Sequence, residues 1–133
     1  MKNFICLSIF CFIFVTLSAQ NSVEFLKTDT IDIWGESTEG GECVGFYDKN
    51  SQLCRLEITY FGEMGKRIEK YYFHGDSLQT QVNINYKYDR PFYENNYKVM
   101  IDTVSFDCQK TPNKCDKSTF LKKKEMFFDK RTR

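Results

Sequence analysis

Between Leu78 and Tyr88 the chain reads L-Q-T-Q-V-N-I-N-Y-K-Y, and its apolar and polar positions alternate with a two-residue period. Leu78, Thr80, Val82, Ile84, Tyr86 and Tyr88 fall on one side, and Gln79, Gln81, Asn83, Asn85 and Lys87 on the other. Successive side chains of a strand point to opposite faces, so this segment predicts a half-buried strand with one wet face. The Gln/Asn row is expected to be that wet face. It names no chemistry.

The residues upstream repeat the theme at hairpin spacing. Cys43–Tyr47 and Leu53–Phe61 are apolar, aromatic-containing runs on either side of Asp48-Lys49-Asn50-Ser51, and turn formers between two such runs predict a hairpin. Gly62-Glu63-Met64-Gly65 then turns the chain into Lys66–Phe73. If Phe61 opposes Lys66, Glu57 faces Lys70, Thr59 faces Ile68 and Leu56 faces Tyr71, pairs that favour an antiparallel ladder. His74-Gly75-Asp76-Ser77 turns the chain again, into the alternating strand. The expectation is a four-strand antiparallel meander over about 42–88. Ile31, Ile33 and Trp34 suit a short earlier strand ahead of the breaker Ser37–Gly41, whose glycines are free to take positive φ. Tyr97–Phe106 offers a later strand. Lys122–Phe128 echoes the bases-then-aromatics pattern of Lys66–Tyr72 and reads as strand; the alternative for 118–128 is a short amphipathic helix. The fold class is therefore mainly β, a meander sheet of four or more strands stapled by disulfides.

Composition fixes the setting. Lys2, the apolar run Phe4–Leu17 and the small residues Ser18-Ala19 form a secretory signal peptide expected to be cleaved after Ala19. The run is shorter than the roughly 20 residues that span a bilayer. A single small β-rich domain is expected over 20–133, with a less regular, Cys-containing region at 97–133. Lys and Arg number 19 against 18 Asp and Glu, and Lys2 leaves with the leader, so the remainder is neutral and suggests no nucleic-acid partner. The signs are separated, however. Glu24, Asp29, Asp32, Glu36, Glu39 and Glu42 lie early, and Lys117, Lys122, Lys123, Lys124, Lys130, Arg131 and Arg133 lie late. They read as solvated faces that meet, or as a basic tail seeking an anionic surface.

Cys6 and Cys11 belong to the leader, leaving Cys43, Cys54, Cys108 and Cys115. An even number of cysteines in an exported domain predicts disulfides, and their spacing does not suit a zinc site. Cys108 and Cys115 span a Pro-containing turn. Cys43 and Cys54 flank the first hairpin turn and can meet only in a register that places them on one face. Both bridges are expected.

Candidate chemistry is thin. His74 is the only imidazole, and neighbours in one tight turn cannot align as a hydrolytic triad. No cofactor motif is present. Glu36, Glu39, Glu42 and Glu63 are carboxylates of the kind that could serve glycoside hydrolysis, though nothing in the sequence fixes their separation. The eight tyrosines exceed what a small core needs, and rings with polar tips are favoured at recognition surfaces. Tyr47, Tyr60, Tyr71, Tyr86 and Tyr88 are the candidate partner-binding face.

Glu36-Ser37-Thr38-Glu39-Gly40-Gly41-Glu42, Tyr60-Phe61-Gly62-Glu63-Met64-Gly65-Lys66 and Tyr71-Tyr72-Phe73 together resemble a group of small exported Gram-negative bacterial proteins with no established catalytic residues. The resemblance covers roughly residues 36–93 and implies a periplasmic or surface setting. More loosely, the aromatic–turn–Leu hairpins are similar to MORN-type repeats, which implies scaffolding and binding. The expected function is an exported, non-enzymatic binding or interaction protein of the envelope, with an envelope protein or glycan as partner. The alternatives are a small hydrolase of envelope polymers or glycans using carboxylates near 36–42, and a structural envelope component using its basic tail.

Overall fold

The computed structural model describes residues 27–132; the expected signal peptide at 1–19 lies outside them. Six strands follow one another in an antiparallel meander: β1 (Lys27–Ile33), β2 (Gly41–Tyr47), β3 (Leu53–Gly62), β4 (Gly65–His74), β5 (Ser77–Tyr88) and β6 (Val99–Asp107). A short 3-10 turn at Pro112–Lys114 and a helix, α1 (Lys117–Arg131), complete the chain. The expected meander is present, and one strand extends it at each side.

The β3–β4 register is the one its side-chain chemistry predicts. Glu57 opposes Lys70, Thr59 opposes Ile68 and Leu56 opposes Tyr71. Glu57 Oε2 lies 3.1 Å from Lys70 Nζ and 3.0 Å from an Arg55 nitrogen.

Residues 117–131 form a helix, so the strand reading of Lys122–Phe128 is corrected. Asp116 caps the helix: its carboxylate accepts from Thr119 N at 2.9 Å, satisfying one of the amides that a helix start leaves open. Phe120 and Phe127, seven residues apart, are fully buried against the sheet. Phe120 lies 4.8 Å from the Phe73 ring and 5.7 Å from Tyr71. Between the two phenylalanines the same face carries lysines. Lys123 lies over Tyr60 and Lys124 over Phe73, each at 5.3 Å, and their ammonium groups reach Glu36 and Asp76. Their stems cover apolar surface while their heads stay paired. At the C-terminal end, Arg131 reaches Asp29 (3.2 Å) and the Tyr47 hydroxyl. The acidic early segment and the basic late one therefore meet.

The helix decides which face of each strand is the core. Cys43, Gly45 and Tyr47 of β2, Leu56, Ile58 and Tyr60 of β3, and Tyr71 and Phe73 of β4 all turn toward α1. Gly45 is required by this packing, since any Cβ there would strike the Phe127 ring and the Leu53 side chain.

The same register reverses the expectation for β5. Tyr71 opposes Gln81, Glu69 opposes Asn83 and Arg67 opposes Asn85, which puts the Gln/Asn row on the helix side. Gln81 is buried, and its Oε1 accepts from Asp116 N at 3.1 Å where α1 begins. Thr80, Val82, Ile84, Tyr86 and Tyr88 lie on the face that α1 leaves uncovered. The alternation is present, but the side that receives the helix is the polar one. A bulge at Gln79, where Tyr72 opposes Thr80 and Phe73 opposes Leu78, returns Leu78 to the core.

Cys108 and Cys115 are joined, with their Cα atoms 5.7 Å apart. Cys43 and Cys54 are free, which corrects the second expected bridge. The first hairpin closes through a longer turn, in which Asp48 N donates to Gln52 O (2.9 Å) and the Asp48 side chain accepts from Asn50 N and Gln52 N. Cys43 then opposes Ile58, while Cys54 is the extra residue of a bulge beside Phe46 and Tyr47. Four residues of strand, about 13 Å, separate the position of Cys54 from the partner of Cys43. Burial pushes the Cys43 thiol up to about 12, so it behaves as an apolar core group.

Candidate functional site: an aromatic cleft between three turns

In a meander every second turn lies at the same end of the sheet. The β1–β2 turn (34–40), the β3–β4 turn (62–65) and the β5–β6 connection (89–98) therefore share one end, and backbone bonds tie them together. Phe61 N donates to Gly40 O (2.9 Å), Tyr88 N to Met64 O (2.8 Å) and Phe92 N to Glu63 O (3.0 Å). Ser37 Oγ reaches Phe61 O at 2.7 Å. Gly40 takes a φ of +75°, a left-handed conformation that glycine adopts without strain. The 89–98 loop is closed by Asp89, whose carboxylate accepts from Lys98 N at 2.7 Å.

These turns enclose a cleft of about 400 Å³ lined by Glu39, Phe61, Gly62, Gly65, Lys66, Tyr88, Phe92 and Tyr97. That volume falls in the range of small-molecule sites. Tyr88 and Tyr97 pack at 4.8 Å between ring centroids, and Phe92 meets Tyr93 edge-on at 5.7 Å. Tyr93 donates to Glu63. Lys66 lies 4.7 Å above the Tyr86 ring. Phe61, Phe92 and Tyr97 of this lining remain exposed, as does Tyr93 beside Phe92, so three rings face solvent around one opening. Burial raises the Tyr88 hydroxyl above its ordinary range, and the bond to Glu63 raises that of Tyr93. Both are neutral hydrogen-bonding phenols at physiological pH.

The five tyrosines of the expected binding face divide. Tyr47, Tyr60 and Tyr71 are buried beneath α1, and Tyr71 donates to Glu69 at 3.0 Å. They belong to the core. Tyr88 lines the cleft, and Tyr86 supports Lys66 beside it. Phe61, Phe92 and Tyr97 complete the cleft and lie outside the expected face; the usable sequence signal is the parity of the turns, which brings 34–40, 62–65 and 89–98 to one end.

The carboxylates also separate. Glu39 lines the cleft, and Glu63 accepts from Tyr93, whose ring meets that of Phe92. Glu36 is bound by Lys123, whose hydrogen bond holds its carboxyl below the usual carboxylate range; that favours the ionised form and disfavours a role as proton donor. Glu42 opposes Thr59 within the ladder. Asp76 pairs with Lys124 at 2.7 Å, next to His74 in the exposed β4–β5 turn. Among the described residues, no cluster of three or more His, Cys, Asp and Glu side chains is arranged to hold a metal ion, and no helix is long and apolar enough to cross a membrane. Comparison with family models, with curated proteins and with solved structures finds no match.

Proposed function

We propose that the protein is an exported, non-enzymatic binding protein of the bacterial envelope that takes a glycan in the cleft between its three turns. The observation that carries this reading is the group of three exposed rings, Phe61, Phe92 and Tyr97, around one opening, with Glu39 and Lys66 in its wall. Flat rings offer apolar faces to a sugar, and the phenols, carboxylate and ammonium offer partners for its hydroxyls. The Ser37–Gly41 and Gly62–Lys66 segments, distant in sequence, converge on this cleft. The Cys108–Cys115 bridge accords with an oxidising compartment.

Calorimetric titration of the purified protein with soluble peptidoglycan fragments and envelope polysaccharides tests the proposal. Saturable binding is expected, weakened about tenfold or more by combined Phe61→Ala and Tyr97→Ala substitution, since each ring contact contributes about 0.5–1.5 kcal/mol. Absence of binding up to about 1 mM glycan, or binding that ignores both substitutions, overturns it. Turnover of a bound glycan that disappears in Glu39→Gln would replace it with the hydrolase alternative.

A further inference from the structure

The two edge strands of the sheet differ in how they are guarded. Edge strands expose unpaired backbone groups, and proteins usually blunt them with charge, proline or a covering element. β1 follows that practice. It carries Lys27, Asp29 and Asp32, Arg131 of α1 reaches Asp29, and Lys130 Nζ donates to Asp32 O at 3.4 Å. β6 does not. Val99–Asp107 contains no lysine, arginine or proline, and eight of its nine residues are exposed, with Met100 and Ile101 each 61% accessible. Among the described residues, no strand pairs with its outer side.

The unpaired groups can be assigned. Cys108 N donates to Gln79 O (2.8 Å), and Lys98 O accepts from Asp89 N (3.2 Å). Both β6-side residues are even-numbered. Along an antiparallel ladder, alternate residues turn both backbone groups to the same neighbour. The even residues of β6 therefore bond to β5, and Val99, Ile101, Thr103 and Ser105 direct N–H and C=O outward. Asp107, the next odd residue, already gives its carbonyl to Thr111 N and Thr111 Oγ1.

From this edge we infer that β6 pairs with β6 of a second copy of the chain, antiparallel and two-fold symmetric about Thr103, giving a continuous twelve-stranded sheet. Charge excludes the register that would pair all four outward residues. Outward residues must oppose outward residues, and a two-fold centred on Asp102 would set Asp102 directly against its own copy, a like-charge pair that an antiparallel ladder disfavours. Centring on Thr103 places Thr103 against Thr103, Ile101 against Ser105, Asp102 against Val104 and Met100 against Phe106. No charges of one sign then oppose, and the outward groups of Ile101, Thr103 and Ser105 are all used. The helix does not obstruct the join, because α1 runs from Gln81 of β5 back to β1.

Sedimentation velocity on wild type, Thr103→Lys and Thr103→Glu tests the inference. Wild type is expected to be dimeric at tens of micromolar. Each single variant brings like charges together on the two-fold and should dimerise about tenfold more weakly or worse, while an equimolar mixture of the two recovers dimer. Residue 103 is exposed, and its outward backbone groups take no part in the β5 ladder, so circular dichroism should match wild type throughout. A monomeric wild type at about 100 μM overturns the inference. So does a dimer indifferent to either charge, or a mixture that fails to recover.

Discussion

Beneath α1 the sheet buries Leu56, Ile58, Tyr71 and Phe73 around Phe120 and Phe127, each less than 5% exposed. At β6 the chain carries Val99, Met100, Ile101 and Val104, residues of similar hydrophobicity, between 39% and 61% exposed. Both regions have strand-forming sequences and complete pairing on at least one side. They differ in cover. A fifteen-residue helix runs from Gln81 of β5 to Asp29 of β1, so it makes one part of the sheet a core and leaves the other as surface. Exposed apolar groups gather at β6 and around the cleft, the two places where the proposed second copy and the proposed glycan would add burial.

The sharpest way to break this contrast is to delete one side chain from each region. Phe120→Ala removes a fully buried ring from between Tyr71 and Phe73 and should destabilise by about 3–5 kcal/mol, the usual cost of an aromatic core truncation. Ile101→Ala removes a mostly exposed side chain and should stay within about 0.5 kcal/mol at concentrations where the chain is monomeric. Equilibrium urea denaturation measures both. Equal losses would mean that β6 is packed as tightly as the core, and the contrast would fail.

Gly45→Ala probes the same boundary from the sheet. A methyl at 45 enters the space of the Phe127 ring and the Leu53 side chain, so α1 must lift or the ring must leave its rotamer. Overpacking of this kind costs about 1–3 kcal/mol. Gly75→Ala is the control at an open turn, where a Cβ would meet nothing but the φ of +56° still asks for glycine; its cost should be about 1 kcal/mol. If Gly45→Ala proved the milder of the two, the close approach of α1 would be refuted.

Strand order, the positions of the turns and the β3–β4 register could all be read from the chain, because each rests on local chemistry: alternation, turn residues, and opposite charges at Glu57 and Lys70. The helix could not be read with the same ease, because Lys123 and Lys124 sit on its buried face, where a pattern of apolar positions expects none. Missing the helix inverted β5. Gln81 looks solvated until the start of α1 is placed over it. The failure at Cys43 has another origin: a five-residue turn and one bulge move a pairing by four residues, and neither has a strong sequence signature. The cleft needed long-range information of a simple kind. Its turns lie nearly thirty residues apart, and only the meander's parity brings them together.

The smallest of the expected effects concerns the point where α1 begins over Gln81, the seam between covered and uncovered sheet. Asp116 accepts from Thr119 N (2.9 Å) and Thr119 Oγ1 (2.7 Å), and the backbone bond, foremost, holds its carboxyl below the ordinary 3.8. A carboxyl depressed in the folded state contributes stability that is present above its unfolded value and lost as pH falls through the folded one. Asp116→Ala should therefore cost about 1 kcal/mol at pH 7, the usual value of a lost N-cap, and the gap to wild type should narrow as the pH drops below about 3.8. Asp116→Asn keeps an accepting oxygen without a titrating charge, so its difference from Asp116→Ala should stay level over the same range. Thermal unfolding of the three proteins between pH 7 and pH 2.5 measures both trends. A constant gap between wild type and Asp116→Ala would show that the helix start is held by packing on Phe120 rather than by its cap.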